Sequence, residues 1–221
     1  MTVPLDPAHV ALPRTRAEDP LPQADQDPLW VSEAGDQVAA LDNAVSEAIA
    51  ATPTPALDRL LVGVSNAANG SRLWLVTAGA VALVGGARGR RAAAEAVASV
   101  ALASVVSNLV LKSLAHRGRP HTPAAGVAPS REIRRPSSSS FPSGHSASAF
   151  AFASTLGEEL PPAWLPAHVA ASLVAYSRVH TGVHYPSDVA VGALVGAACG
   201  WTVRRLAAEL DAVGVHRAAA A

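Results

Sequence analysis

From residue 73 onward the chain is a succession of alanine-rich apolar runs that charge bounds and hardly interrupts. Residues 73–87 are uncharged and lie between Arg72 and Arg88, and residues 92–111 contain only Glu95 before closing on Lys112. Further runs cover about 144–156, 163–177 and 189–203, the last stopped by Arg204 and Arg205. Nothing alternates with the period of a strand, so the runs read as helices. A spanning helix needs about 20 mostly apolar residues, and all but the run at 92–111 are shorter. Their alanines and glycines suit close helix packing. The pattern predicts an all-α helical bundle, read as a multi-pass transmembrane protein with five apolar helices. A soluble helical bundle is the alternative.

The charge pattern agrees. Charged residues make up 15% of the chain, against about 25% in ordinary globular domains. Lys+Arg and Asp+Glu balance at 17 each, which argues against a polyanionic partner such as nucleic acid. The acids concentrate in the first 60 residues, whereas Lys112, Arg117, Arg119, Arg131, Arg134 and Arg135 crowd the middle. A basic cluster in a neutral chain marks either an anion site or a solvated loop. Cys199 stands alone in an apolar run and reads as a small buried hydrophobe.

The chain divides into four regions. Residues 1–35, rich in Pro, Asp and Ala, are expected to be a disordered tail without the basic and apolar segments of a secretory signal. Residues 36–70 are expected to hold two amphipathic helices broken at Thr52-Pro53-Thr54-Pro55, with Val38, Leu41, Val45 and Ile49 opposite Asp36, Asp42 and Glu47. The bundle would occupy 71–207, with a loop over 117–141, and 208–221 would be a C-terminal tail.

Three short clusters sit at ends of the apolar runs: Lys112 to Arg119-Pro120, Phe141-Pro142-Ser143-Gly144-His145, and Ser177-Arg178 through His184 to Asp188. Lys112 and Arg119 can converge on one point. Pro142 is expected to open a helix, leaving the amides of Ser143, Gly144 and His145 unpaired, and such a helix start binds anions. Pro186 would open the last helix, placing Asp188 in its first turn and His184 just outside it. Cations, a helix start, two histidines and a carboxylate are the groups that phosphoryl transfer to histidine requires.

These clusters resemble the tripartite signature of the type-2 phosphatidic acid phosphatase superfamily, K-x6-RP, PSGH and SR-x5-H-x3-D, over roughly residues 57–205. The resemblance implies that His184 is the nucleophile, Asp188 its support and His145 the general acid and then base. Lys112, Arg119, Ser143, Gly144 and Arg178 would hold the phosphate, with no metal and no cofactor. It implies a lipid phosphate substrate: phosphatidate, a polyprenyl phosphate or pyrophosphate, or a polyprenyl phosphosugar. A soluble acid phosphatase or a vanadate-dependent haloperoxidase on a related core is the alternative. His180 and His184 could suggest a metal pair, but Gly182 and Pro186 disfavour a continuous helix there, and His180 reads as a residue shaping the pocket. No G-x-S-x-G elbow supports a serine hydrolase. Arg88, Arg90, Arg91, Arg204 and Arg205 lie opposite the clusters, which predicts a cell-membrane protein with an extracytoplasmic active site.

Overall fold

The computed structural model describes residues 29–120, 129–134 and 137–219. Residues 1–28 of the expected tail, and His121 in the basic loop, lie outside them. The chain divides into a unit ending at Gln37 and one starting at Val38. The described part of the first is the opening of helix α1, and the helical bundle and its cavity belong to the second.

Helix α1 (Leu29–Ala51) and helix α2 (Pro55–Ala67) form on either side of the proline-containing break. Pro55 fits the first turn of α2, where no intrahelical acceptor is lost. At the turn Asn69–Ser71 both Gly70 and Ser71 take φ of 59°, and the chain swings by 62° into α3 (Arg72–Val84). Helix α4 (Gly86–Val105) runs through a wide π-turn, Val106–Leu111, into a last turn, α5 (Lys112–Leu114). After the loop come α6 (Gly144–Glu159), α7 (Trp164–His180) and α8 (Pro186–Ala219), the last continuing well past residue 207.

Helix α6 is the centre, packed against α4, α7 and α8. Ala147, Ala149, Ala151 and Ala153 are fully buried. Every fourth residue of α8 facing it is glycine: a Cβ on Gly192 would stand 2.5 Å from the Ser143 carbonyl oxygen, and one on Gly200 3.0 Å from Thr155 Oγ1. The two backbones therefore approach as closely as helices can, which needs the absence of side chains at those positions. Trp74 against Phe152, with ring centroids 5.2 Å apart, fills the space between α3 and α6.

The expectation of five apolar spans is not met. Among the described residues two helices, Gly86–Leu114 and Pro186–Val213, are long and apolar enough to cross a bilayer, or three if the bent pair Pro55–Ala67 and Asn69–Val84 is one span. The runs at 144–156 and 163–177 become α6 and α7, of 16 and 17 residues, short of the roughly 20 that a span needs. Helix α6 is apolar because other helices surround it.

Two side chains invert the expected faces. On α1, Asp42 is 2% exposed whereas Leu41 is 64% exposed. Asp42 turns inward because Arg117 and Ser187 wait there for a carboxylate, whereas Asp36 and Glu47 stay exposed. Arg131, counted with the basic cluster, is buried in an ion pair with Asp58 of α2 at 2.8 Å. The same carboxylate takes Nε2 of His180 at 2.8 Å and the hydroxyl of Ser130 at 2.8 Å. This cluster ties α2, α7 and the loop together, so His180 is part of the framework.

Candidate active site

The three clusters meet at one cavity of about 490 Å³, lined by Lys112, Arg119, Gly144, His145 and His184 together with Ala68, Gly70, Ser71, Ser104, Asn108, Ser138 and Ser148. Ser143, Arg178 and Asp188 are fully buried and are not among its lining residues.

His184 is placed by the end of α7. Gly182, at φ 65°, turns the chain, and the amides of Val183 and His184 both donate to the Arg178 carbonyl, at 3.2 and 3.1 Å. Pro186 starts α8 as expected, which brings Asp188 back towards the ring. Asp188 Oδ2 accepts the Tyr185 amide at 2.9 Å and lies 3.5 Å from His184 Nδ1. That is an ion-pair distance, long for a hydrogen bond, and such contacts commonly tighten when substrate arrives. On the other side of the ring, Nε2 stands 3.4 Å from Arg119 Nη1. A proton held on Nδ1 by the carboxylate leaves the Nε2 lone pair turned away from Asp188. Burial, with the Arg178 and Arg119 charges, lowers His184 to about 4 against the smaller upward pull of Asp188. The ring is therefore neutral at neutral pH.

Arg178 is 2% exposed. It donates to Ser65 Oγ, its Nε has no partner, and among the described residues no carboxylate pairs with it. A guanidinium buried in that way is costly unless an anion joins it. Arg119 instead braces the loop, donating to the carbonyls of Val183 at 2.7 Å and Ser138 at 3.0 Å.

The helix start differs from expectation in detail. Helix α6 begins at Gly144, two residues after Pro142, and Ser143 is its N-cap. Ser143 Oγ accepts from the Ser146 amide at 3.4 Å and the Ser146 hydroxyl at 3.0 Å, and its own amide donates to the Asp188 carbonyl at 2.9 Å. The Gly144 and His145 amides are left as the open first-turn donors. A Cβ on Gly144 would stand 2.8 Å from Asn108 Oδ1, so any other residue here would push the Asn108 side chain aside. Burial and then the Arg178 charge lower His145 to about 3 before substrate binds.

Sequence reasoning leaves four residues of the site without a role: Asn69, Asn108, Arg117 and Asp42. Asn69 Oδ1 lies 3.0 Å from His145 Nε2; its only sequence signal is the Asn-Gly turn dipeptide. Asn108 lines the cavity from the π-turn. Arg117 Nη1 bonds Asp188 Oδ1 at 2.7 Å, and its Nη2 bonds Asp42 Oδ2 at 2.6 Å. Among the described residues no three His, Cys, Asp or Glu side chains gather as a metal-binding group.

Known proteins resemble this chain in both sequence and fold. The sequence is 39% identical over 150 residues to a decaprenylphosphoryl-5-phosphoribose phosphatase of Mycobacterium tuberculosis, covering 65% of this chain and 73% of that one. It is 32% identical to a lipid A 4'-phosphatase of Bacteroides thetaiotaomicron, covering 52% of this chain and 53% of the other. The fold superposes on a transmembrane PAP2 type phosphatidylglycerolphosphate phosphatase from Bacillus subtilis with a TM-score of 0.63 and 26% identity, over 81% of this chain and 90% of that one. It superposes on Aquifex aeolicus LpxE with a TM-score of 0.58 and 27% identity, over 73% and 93% of the two chains. The chain is thus a multi-pass membrane protein and a lipid phosphate phosphatase. The family model for the PAP2 superfamily matches residues 92–211, more than half of the chain, and the chain belongs to that superfamily.

Proposed function

We propose that this phosphatase removes the terminal phosphate of a polyprenyl-linked phosphosugar through a phosphohistidine on His184. The observation that carries the mechanism is Arg178: a buried guanidinium with no carboxylate, its charge felt by a neutral histidine that has Asp188 behind it. The choice of substrate rests on the likeness to the mycobacterial phosphoribose phosphatase.

In this reading the phosphate enters with its oxygens against Lys112, Arg119, Arg178 and the Gly144 amide. Ser143 acts from behind by holding the α6 start in place. Nε2 of His184 attacks phosphorus, the P–O bond to the sugar breaks, and His145 gives its proton to the departing oxygen. The incoming dianion brings negative charge against the cations that depress His145, so the proton arrives with the substrate. Asp188 stabilises the imidazolium character of the intermediate. Water, deprotonated by His145, then displaces His184 and releases inorganic phosphate. Lysine and arginine supply the charge that a metal supplies elsewhere, so the reaction proceeds without one. The arginines at 88, 90, 91, 204 and 205 favour a cytoplasmic location opposite the cavity, which puts catalysis on the extracytoplasmic face.

The test is phosphate release by detergent-solubilised protein from polyprenyl phosphosugar, polyprenyl phosphate, phosphatidate and phosphatidylglycerolphosphate, with and without EDTA. The expected result is a preference for the phosphosugar, insensitivity to EDTA, and acid-labile phosphate trapped on the wild type but not on His184→Asn. Activity surviving in His184→Asn sinks the nucleophile assignment. Peroxide- and vanadate-dependent halide oxidation without phosphate release would replace the phosphatase reading altogether.

A further inference from the structure

We propose that Asp42 and Arg117 are positioning residues for the His184–Asp188 pair, so that helix α1, which precedes the family-matched region, completes the catalytic apparatus. This rests on His184 as nucleophile. Arg117 is doubly committed: Nη1 to Asp188 Oδ1 at 2.7 Å and to Ser187 Oγ at 2.7 Å, Nη2 to Asp42 Oδ2 at 2.6 Å. Its guanidinium lies over the Tyr185 ring, 4.3 Å from the centroid, beside His184. Asp42 Oδ1 accepts the Ser187 amide at 2.9 Å, so a carboxylate from α1 occupies the open N-terminus of α8, the helix that carries Asp188.

The geometry divides the two oxygens of Asp188. Oδ1 belongs to Arg117, which leaves Oδ2 for Tyr185 and His184. Without Arg117 the carboxylate could rotate and share itself between the imidazole and other donors. Without Asp42 the Arg117 guanidinium would lose one of its two carboxylates and compete with the cations of the site for Asp188 or for the phosphate. The alternation of carboxylate, guanidinium and carboxylate keeps Arg117 out of the anion site while it holds the nucleophile's support. Around Asp42, helix α1 faces outward, with Val38 47% and Leu41 64% exposed beside a wholly buried Asp42, while Val45 and Ile49 one and two turns on are half-buried. At this turn it is docked by its acid.

The two residues act on His184 with opposite sign. The other groups facing that ring are Asp188 on α8, Arg119 from the loop, Arg178 on α7 and His145 on α6, and all stay unchanged. Removing the Arg117 cation favours the imidazolium, and removing the Asp42 anion disfavours it.

The experiment uses the full-length enzyme in detergent. Arg117→Gln is expected to lower kcat about 10- to 100-fold with KM within about twofold, and to move the acid limb of kcat/KM upward by about one pH unit. Asp42→Asn is expected to lower kcat by less and to move the limb downward. Arg117→Lys should restore the limb but only part of kcat, since one ammonium cannot serve two carboxylates as a guanidinium does. The double variant should lose less than the product of the two single losses, because the part of Asp42's effect that reaches Asp188 passes through Arg117. Glu47→Gln, the same charge change at an exposed position of α1, is the control and should match wild type. Arg117→Lys and Asp42→Asn carry the test if Arg117→Gln does not fold. Variants that lose thermal stability but keep wild-type kcat and pH profile, or losses that simply multiply in the double variant, overturn this inference alone. Full activity in His184→Asn overturns the nucleophile assignment and this inference with it.

Discussion

The two histidines of the cavity are held in opposite ways. His184 is 2% exposed and backed by a line of charges: Asp188, then Arg117, then Asp42. His145 sits at the cavity wall on the first turn of α6, and its hydrogen-bond partner is a neutral amide, Asn69 Oδ1 at 3.0 Å. The difference matches the work proposed for each. A nucleophile that becomes positively charged when phosphorylated benefits from a fixed anion behind it. A group that must give a proton and then take one back is served by a partner that favours neither state. Charge stabilises a single condition, whereas a neutral amide orients without choosing one.

The comparison breaks most decisively at His184. His184→Asn should lose on the order of 10⁴-fold or more in kcat, whatever the leaving group, since no covalent path remains. Asp188→Asn should cost about 10³-fold in kcat, measured with the same lipid, because the carboxylate fixes the tautomer and supports the developing charge. His145→Ala should cost about 10²- to 10³-fold on a sugar phosphate and much less on p-nitrophenyl phosphate, whose leaving group needs no proton. If both histidine variants responded alike to the leaving group, the division of labour would be wrong.

The acid limb of kcat/KM sharpens the same contrast. In the proposed mechanism His184 must be unprotonated to attack, and burial with the Arg178 and Arg119 charges lowers it to about 4. The free enzyme should keep its kcat/KM down to that region and lose it as pH falls through it. A limb near 6.5, the ordinary histidine value, would mean that the ring is solvated and uncoupled from its cations.

How much of the molecule is legible in the sequence depends on the range of the interactions. Lys112, Arg119, His145, His184 and Asp188 are readable because helix starts and ends place them locally: Pro186 fixes where α8 begins, and Asp188 comes three residues after Tyr185, whose amide it accepts. Periodicity assigns Asp42 to the solvent face because it sees only one helix. Its partner Ser187 is 145 positions away, and nothing local announces that a guanidinium lies between them. Apolar runs overcount the spans for a related reason. Such a run states that a helix avoids water, and α6 does so inside protein, with glycines 192, 196 and 200 of α8 pressed against it. Arg131 reads as part of an anion site because its carboxylate, Asp58, comes from a helix 73 positions earlier.

The smallest expected effect tests the weaker-held histidine. Asn69 precedes Gly70 and Ser71, both at φ 59°, and is not itself in that conformation, so replacing its side chain leaves the turn's strained residues intact. Asn69→Ala should lower kcat about 5- to 10-fold with KM unchanged, the loss growing as the leaving group worsens, because an unoriented imidazole still delivers a proton but does so less often. Asn69→Asp makes the sharper measurement. A carboxylate at the same distance favours the imidazolium, so His145 should hold its proton to higher pH and the basic limb of kcat should move up. Return of the proton by water-activating His145 then becomes the slow step, and phosphohistidine should accumulate in quenched samples. Equal losses in the two variants, with the basic limb unmoved and no extra phosphoenzyme, would mean that Asn69 shapes the turn and leaves His145 to orient itself.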